Sequence, residues 1–367
     1  MFNGFYQGKR VLVTGHTGFK GGWLSLWLKK LGANVCGVSL PSPTNPNLHE
    51  VIKAEAFTSE TECDIRDLGN LSAAVKKIQP EVIFHLAAQP IVRRSYAEPL
   101  ATFQTNALGT ANLLESVRNA ELASILVIVT SDKCYENREW EFAYRENDPL
   151  GGHDVYSMSK AATELVAQAW SRSFFLPDPR LGAVATVRAG NVIGGGDYAE
   201  DRIVPDCVRA LIGGKPIFVR NPNAIRPWQH VLECLSGYLW LAARLQDEPK
   251  NSRLAGAFNF GPEPSARQPV RRLVEEVLNI WPGKWVDGAN PNTLHEATLL
   301  SLSIEKAGTF LGWYPVWDFS QAIHRTVAWY HRRHTVSGSN MCEFSSLQID
   351  EYVAEAQRKG LAWANKK

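Results

Sequence analysis

Short runs of β-branched and aliphatic residues recur along the first half of the chain. Between them lie longer stretches whose apolar positions return every three or four residues. The runs at 11–14, 35–39, 82–86, 125–130 and 184–188 read as strands. They are continuously apolar rather than alternating, the pattern of strands covered on both faces, and each interval leaves room for a crossover helix. Segment 19–31 sets Trp23, Leu24, Trp27, Leu28 and Leu31 at helical spacing and stops at Gly32. Segments 99–119 and 156–174 give two more long helices. These features predict a doubly wound α/β fold, a parallel Rossmann-type sheet with helices on both faces.

Past Arg188 the regularity fades. Gly194-Gly195-Gly196, Gly213-Gly214 and Asn221-Pro222-Asn223 interrupt the pattern before helical spacing returns at 271–281 and 321–331. Ser337-Gly338-Ser339 reads as a short hinge ahead of a C-terminal helix. We therefore expect a dinucleotide-binding domain over 1–190 that also receives a segment near 228–260. A smaller substrate-binding lobe is expected from 191–227 and 261–367, a division that 367 residues accommodate.

Charge and cysteine usage exclude several classes of function. With 39 Lys and Arg against 37 Asp and Glu the net charge is +2, which gives no footprint for nonspecific binding to nucleic acid or to an anionic membrane. No apolar run approaches the roughly 20 residues that span a bilayer, and the chain reads as cytoplasmic. Six cysteines (Cys36, Cys63, Cys134, Cys207, Cys234 and Cys342) show no CxxC and no Cys/His spacing, so we expect buried free thiols and no metal. His324, His331 and His334 share helical spacing without a carboxylate in register and read as one packed or solvated face.

The candidate chemistry begins directly after the first strand, where Gly15-His16-Thr17-Gly18-Phe19-Lys20-Gly21 opens the Trp-rich helix. Glycines there permit a tight turn and bring backbone N–H groups and the positive end of a helix toward a diphosphate. Tyr156 and Lys160 stand four apart on a helix, so an ammonium near the phenol is expected to lower its pKa and make Tyr156 a general base. The fifth strand runs out into Thr130-Ser131-Asp132-Lys133-Cys134-Tyr135, at the sheet edge that faces the ligand crevice in such folds.

This GxxGxxG loop with its Tyr-x-x-x-Lys resembles the extended branch of the short-chain dehydrogenase/reductase superfamily. The strings TSDKCYENREW and YRENDPLGGHDVYSMSK, with RPWQHVLE later, resemble the nucleotide-sugar 4,6-dehydratases, most of all those acting on CDP-D-glucose. The resemblance implies NAD as cofactor. It implies cofactor contacts from Gly15, His16, Thr17, Gly18, Phe19 and Gly21, from Asp64 and Ile65 near the adenine, and from Leu86, Ala87, Ala88, Asn106 and Thr130, besides Tyr156 and Lys160. It implies substrate contacts from Gln89, Asn191, Arg202 and Arg226. Two departures stand out: Val38-Ser39-Leu40-Pro41 lacks the acid that usually holds the adenosine ribose, and Pro227 replaces the Asp usual in that motif.

By the same resemblance Ser131, Asp132, Lys133, Tyr156 and Lys160 are catalytic. Tyr156 takes the C4 hydroxyl proton as hydride leaves C4, a neutral Lys133 removes the C5 proton, and a protonated Asp132 gives a proton to the departing C6 hydroxyl. Most relatives carry Glu where Lys133 stands. The product is a 4-keto-6-deoxy sugar on its nucleotide, a precursor of deoxysugars in surface polysaccharide such as the lipopolysaccharide O-antigen. A 4-epimerase, a dehydratase of another nucleotide sugar and a nonenzymatic NAD-binding regulator are the competing readings. The first has no use for Asp132 and Lys133, and the last is expected to have lost Tyr156 or Lys160. A homodimer through helices 99–119 and 156–174 is the expected assembly, with pairing of dimers into a tetramer left open by the sequence.

Overall fold

Strands Arg10–Thr14 (β1), Ile125–Val129 (β5) and Ala183–Ala189 (β6) are buried along almost their whole length, and such residues are stable only inside a sheet covered on both sides. They join Asn34–Ser39 (β2), Ser59–Glu62 (β3), Val82–His85 (β4) and Ala257–Phe260 (β7) in one parallel sheet ordered β7-β6-β5-β4-β1-β2-β3. The chain order reverses between β1 and β4, which opens a crevice at the carboxyl ends of the strands. The computed structural model describes residues 1–251, 253–289 and 299–365, so part of the expected 261–367 lobe lies outside the described residues.

Helices Phe19–Lys30 (α1), His49–Ala56 (α2), Leu68–Ile78 (α3), Val92–Ala97 (α4), Pro99–Phe103 (α5), Gly109–Asn119 (α6) and Val155–Trp170 (α7) flank this sheet. The later part of the chain supplies Ile203–Ile212 (α8), Val231–Asp247 (α9), Val270–Ile280 (α10), Glu305–Leu311 (α11), Phe319–Thr335 (α12) and Met341–Arg358 (α13). Helix α1 does more than cover β1. Every residue from Gly21 to Leu28 is buried, because α9 and α13 pack on the side away from the sheet. Trp27 meets Trp363 and Tyr352 edge-on, and the Phe2 amide donates to the Trp363 carbonyl at 2.6 Å, so both ends of the chain close on one aromatic cluster.

The helix expected at 99–119 is one run interrupted by a π-turn, Gln104–Leu108. At its centre stands Asn106, whose side-chain amide donates to the Gln89 carbonyl and to Ser159 Oγ while its side-chain carbonyl accepts from the Gln89 amide. Strand β3 has four exposed residues and no apolar signal, and β7 comes from the irregular half, so neither stood out in the periodicity. All six cysteines are free and buried, as expected.

Two buried charged clusters hold the layers together. Between α7 and β6, Arg188 meets Glu164 through two bonds of 2.9 and 3.0 Å, with both side chains 3% exposed. Burial would raise the Glu164 carboxyl, but Arg188 and the Thr130 and Thr186 hydroxyls hold it below its ordinary value. In α9, fully buried Glu233 accepts the Val316 and Trp317 amides and the Tyr352 hydroxyl, tying α9 to the C-terminal segments. Burial pushes Glu233 up to about 7, against the opposing pulls of those amides, the Tyr352 hydroxyl and the charge of Lys359.

Arg188→Met should cost about 3–5 kcal/mol in urea unfolding, because it strands a buried carboxylate. A loss below 1 kcal/mol would show that Glu164 does not need its partner. For Glu233 the folded value exceeds the unfolded one of about 4.3. Its stabilising contribution is therefore complete at acid pH and declines as pH rises from the unfolded value through about 7, by about 3 kcal/mol between pH 4.5 and 8. The difference in unfolding free energy between wild type and E233Q should shrink by that amount from pH 4.5 to 8, and a flat difference would contradict the assignment.

Candidate active site

The phosphate loop is built by three glycines with different duties. Gly15 turns at φ +73°, where a Cβ would come within 2.6 Å of the Ala87 amide, and a Cβ on Gly21 would meet the Gly15 carbonyl at 2.3 Å. Those two close the loop against β4 and against itself. Gly18 caps α1 without any side-chain bond to the helix end, and a Cβ there would meet only the Gly15 carbonyl, at 3.3 Å. It therefore leaves open the approach to the amino end of a twelve-residue helix, which suits an anionic diphosphate. Thr17 fixes the loop to the end of β2 through the Ser39 hydroxyl at 2.7 Å and the Leu40 carbonyl.

The loop opens onto a cleft of about 1420 Å³ along the carboxyl ends of the strands. Gly15, Thr17, Gly18, Phe19, Gly21, Asp64, Ile65, Leu86, Ala87, Ala88, Gln89 and Thr130 line one part of it. Ser131, Asp132, Lys133, Tyr156, Lys160, Asn191, Arg202 and Arg226 line another. Nearly every residue singled out from the sequence is thus drawn to one cavity by strands that all end on the same edge.

Two are not among the lining residues. The His16 ring turns away from the cleft, sits against Gly37, and bonds to Glu60 at 2.9 Å, so only its backbone belongs to the loop. Asn106 is spent on Gln89 and Ser159 and positions the chain after β4 instead of lining the cavity. Others reach the cleft with their side chains already engaged: Asp64 with Arg66, Thr130 with Glu164, and Gln89 with the Thr102 hydroxyl and the Ile91 backbone.

Beyond β5 the chain makes a single 3₁₀ turn, Asp132–Cys134. Ser131 caps it, accepting the Lys133 amide at 3.2 Å and donating to Asp132 Oδ1 at 3.0 Å. Burial raises the Asp132 carboxyl, against opposing pulls from Lys133, Ser131, Arg226 and Lys20, which favours the protonated form. Tyr156 is set by the start of α7, whose N-cap Asp154 accepts the Ser157 amide at 2.9 Å.

The expected lowering of the phenol is not what the structure shows. Burial pushes Tyr156 up to about 12, with Ser131 and Arg202 pulling it back. Burial, then the charge of Lys20, pushes Lys160 down to about 8, and its ammonium lies 3.5 Å from the Val129 carbonyl. The helical spacing is right, but the positive charge acting on Tyr156 is that of Arg202 rather than Lys160, and desolvation outweighs it.

Sequence reasoning passed over several neighbours. Lys20 lines the cleft from the first turn of α1, and its place inside the glycine loop was the available signal. His85, held neutral by burial at about 3, bridges Thr14 at 2.7 Å and Thr110 at 3.0 Å beneath the loop. Arg93 and Arg220 converge on Asp201 at the cleft wall from segments with no motif to mark them.

The sequence pattern of a family described as GDP-mannose 4,6 dehydratase matches residues 12–326. A CDP-glucose 4,6-dehydratase of Salmonella typhimurium is 44% identical over 360 residues, covering 96% of this chain and 99% of that protein. Among solved structures, the dTDP-glucose 4,6-dehydratase DesIV of Streptomyces venezuelae, with NAD and TYD bound, superposes with a TM-score of 0.74 at 25% identity. It covers 88% of this chain and 97% of that one. A UDP-glucose-4-epimerase of Stenotrophomonas maltophila, at 20% identity and a TM-score of 0.77 over 89% and 98% of the two chains, shares the fold. By the extent of the family match and of the Salmonella relative, the chain belongs to the GDP-mannose 4,6 dehydratase family within the extended short-chain dehydrogenases/reductases.

Proposed function

We propose that the chain converts CDP-D-glucose to CDP-4-dehydro-6-deoxy-D-glucose and water. The observation that carries this reading is the presence of Asp132 and Lys133 in the same cleft as Tyr156 and Lys160, with the Asp132 carboxyl raised by burial. C4 epimerisation has no use for an acid and a base at C6 and C5. The cytidine base rests on the Salmonella relative, and among the described residues no helix is long and apolar enough to cross a membrane.

The glycine loop, the open face at Gly18 and the cleft along the strand ends fit NAD, which when bound accepts hydride from C4 and returns it at C6. We assign residues 1–190 with the segment near 228–260 to its binding, and 191–227 with 261–367 to the nucleotide sugar. Ser131 and Tyr156 hold the C4 oxygen, and Tyr156 takes its proton. A phenol near 12 needs help to do so, and Ser131 and Arg202 already act in that direction. With C4 a ketone, Lys133 removes the acidified C5 proton while Asp132 protonates the C6 hydroxyl, so water leaves and a C5–C6 double bond forms. Guanidinium groups at Arg202 and Arg226, with the amide of Asn191, suit the diphosphate.

The assembly we infer is a homodimer. Leu100, Leu108, Met158 and Leu165 project 39–67% exposed from the run that ends in α6 and from α7, which together present an apolar face.

Incubation with CDP-glucose should yield a nucleotide sugar lighter by one water, and conversion to an epimer of unchanged mass would overturn the reading. Lys133→Met should still oxidise C4, seen as reduced nicotinamide absorbance, but should lose exchange of the C5 proton with solvent. Exchange at the native rate would remove Lys133 as the base. Sedimentation at micromolar concentration should give a dimer, with the double variant Leu108→Glu/Leu165→Glu monomeric. A wild-type monomer would refute the interface.

A further inference from the structure

Among the described residues one group of His, Cys, Asp and Glu side chains lies close enough to share an ion: His16, His49 and Glu60, whose ligand atoms all fall within 4.8 Å of one another. The proposed reaction uses none of these side chains. They come from three separate elements: the turn after β1, the start of α2, and the edge strand β3. Glu60 Oε1 stands 2.9 Å from His16 Nε2 and 2.5 Å from His49 Nε2, so two imidazoles converge on one carboxylate oxygen.

The surroundings form a pocket with one open side. The His16, His49 and Glu60 side chains are 3%, 14% and 34% exposed, so access is from the Glu60 side. Phe57 covers both rings, edge-on to His16 at 5.0 Å and tilted to His49 at 5.7 Å. Gly37 forms the floor, where a Cβ would come within 2.5 Å of the His16 ring.

We propose that His16, His49 and Glu60 bind one divalent transition-metal ion of the zinc class, through two imidazole Nε2 atoms and one carboxylate oxygen, with a fourth position open to water. Two nitrogens and one oxygen suit zinc, whereas calcium and magnesium take oxygen-rich sets. Bonds of about 2.0–2.1 Å in a tetrahedral site space the ligand atoms by a little over 3 Å. The two separations from Glu60 need to open by less than an ångström, which the accessible Glu60 side chain permits, and the two imidazole nitrogens lie within 4.8 Å of each other. An ion here would pin the turn carrying the glycine loop to α2 and to the edge of the sheet. Because it would bind the folded chain alone, it would raise stability with ion concentration.

The test uses the full chain, stripped with a chelator and dialysed against Zn²⁺, then assayed for bound metal, with Co²⁺ as a spectroscopic probe of geometry. We expect one Zn²⁺ per chain, visible Co²⁺ bands of tetrahedral intensity, and a thermal midpoint that rises with Zn²⁺. In H49Q and in E60Q the affinity should fall at least tenfold and the shift in midpoint should vanish. Midpoints of the variants in chelator, equal to that of wild type, establish that they fold. Equal zinc binding in wild type and both variants would place the ion elsewhere and overturn the proposal. Absence of zinc uptake by wild type would also overturn it, leaving two imidazoles hydrogen-bonded to one carboxylate.

Discussion

The buried pair between Arg188 and Glu164 is the constraint on which the site depends. Glu164 lies one helical turn beyond Lys160 and two beyond Tyr156 on α7, so fixing its carboxylate fixes the axial rotation of that helix. The same carboxylate accepts Thr130, the residue before the Ser131-Asp132-Lys133 turn, and Thr186 on β6. Arg188 continues outward to the Tyr135 hydroxyl at 2.6 Å, and Tyr135 donates to Asn259 on β7 at 2.8 Å. One ion pair thus indexes the helix bearing the phenol against the loop bearing the acid and the amine. A hydrophobic contact of equal area would hold the layers together without setting that rotation, since dispersion and burial carry no direction.

Desolvation then dictates the state of the groups lining the cleft. It raises Tyr156 and Asp132, lowers Lys160, and in each case outweighs every nearby charge. The common direction is toward the uncharged form, as expected where ions leave water for a low-dielectric interior. For Asp132 that is the form able to donate a proton. For Tyr156 it is the opposite of what the proposed base needs, so that reading calls for positive charge to draw the phenol down. Arg202 supplies some, and the oxidised nicotinamide of NAD, when bound, would add to it. The cleft is therefore poised by burial and completed by binding.

How much of this could be read from the chain depended on whether a feature leaves a periodic or a local mark. Strands such as Ile125–Val129, buried on both faces, announce themselves as apolar runs. Ser59–Glu62 is held only by backbone pairing at the sheet edge, and its four exposed residues carry no pattern. The site residues were legible where chemistry sits in a contiguous string, as in Ser131-Asp132-Lys133 or Tyr156 to Lys160. Their supports were not. Glu164, Arg188 and Asn259 lie far apart in sequence and meet only through the sheet. Asn106 and His16 show the converse: sequence position placed them at the cofactor, while their side chains turned to Gln89, Ser159 and Glu60.

Adjacency in sequence does not imply that Asp132 and Lys133 serve the same atom. They occupy a single 3₁₀ turn, in which successive residues are rotated by about a third of a circle. Asp132 is left 5% exposed and close to Gly190, where a Cβ would come within 3.0 Å of its Oδ2, while Lys133 is only half-buried. A longer side chain at 190 would press on the acid directly, so the glycine is part of the space the carboxyl needs. Had the two residues lain on a strand, they would point to opposite faces of the sheet and one would leave the cleft. A capped turn of three residues keeps both groups in the cavity at different angles, the arrangement that the proposed removal of a proton from C5 and delivery of one to the C6 oxygen calls for.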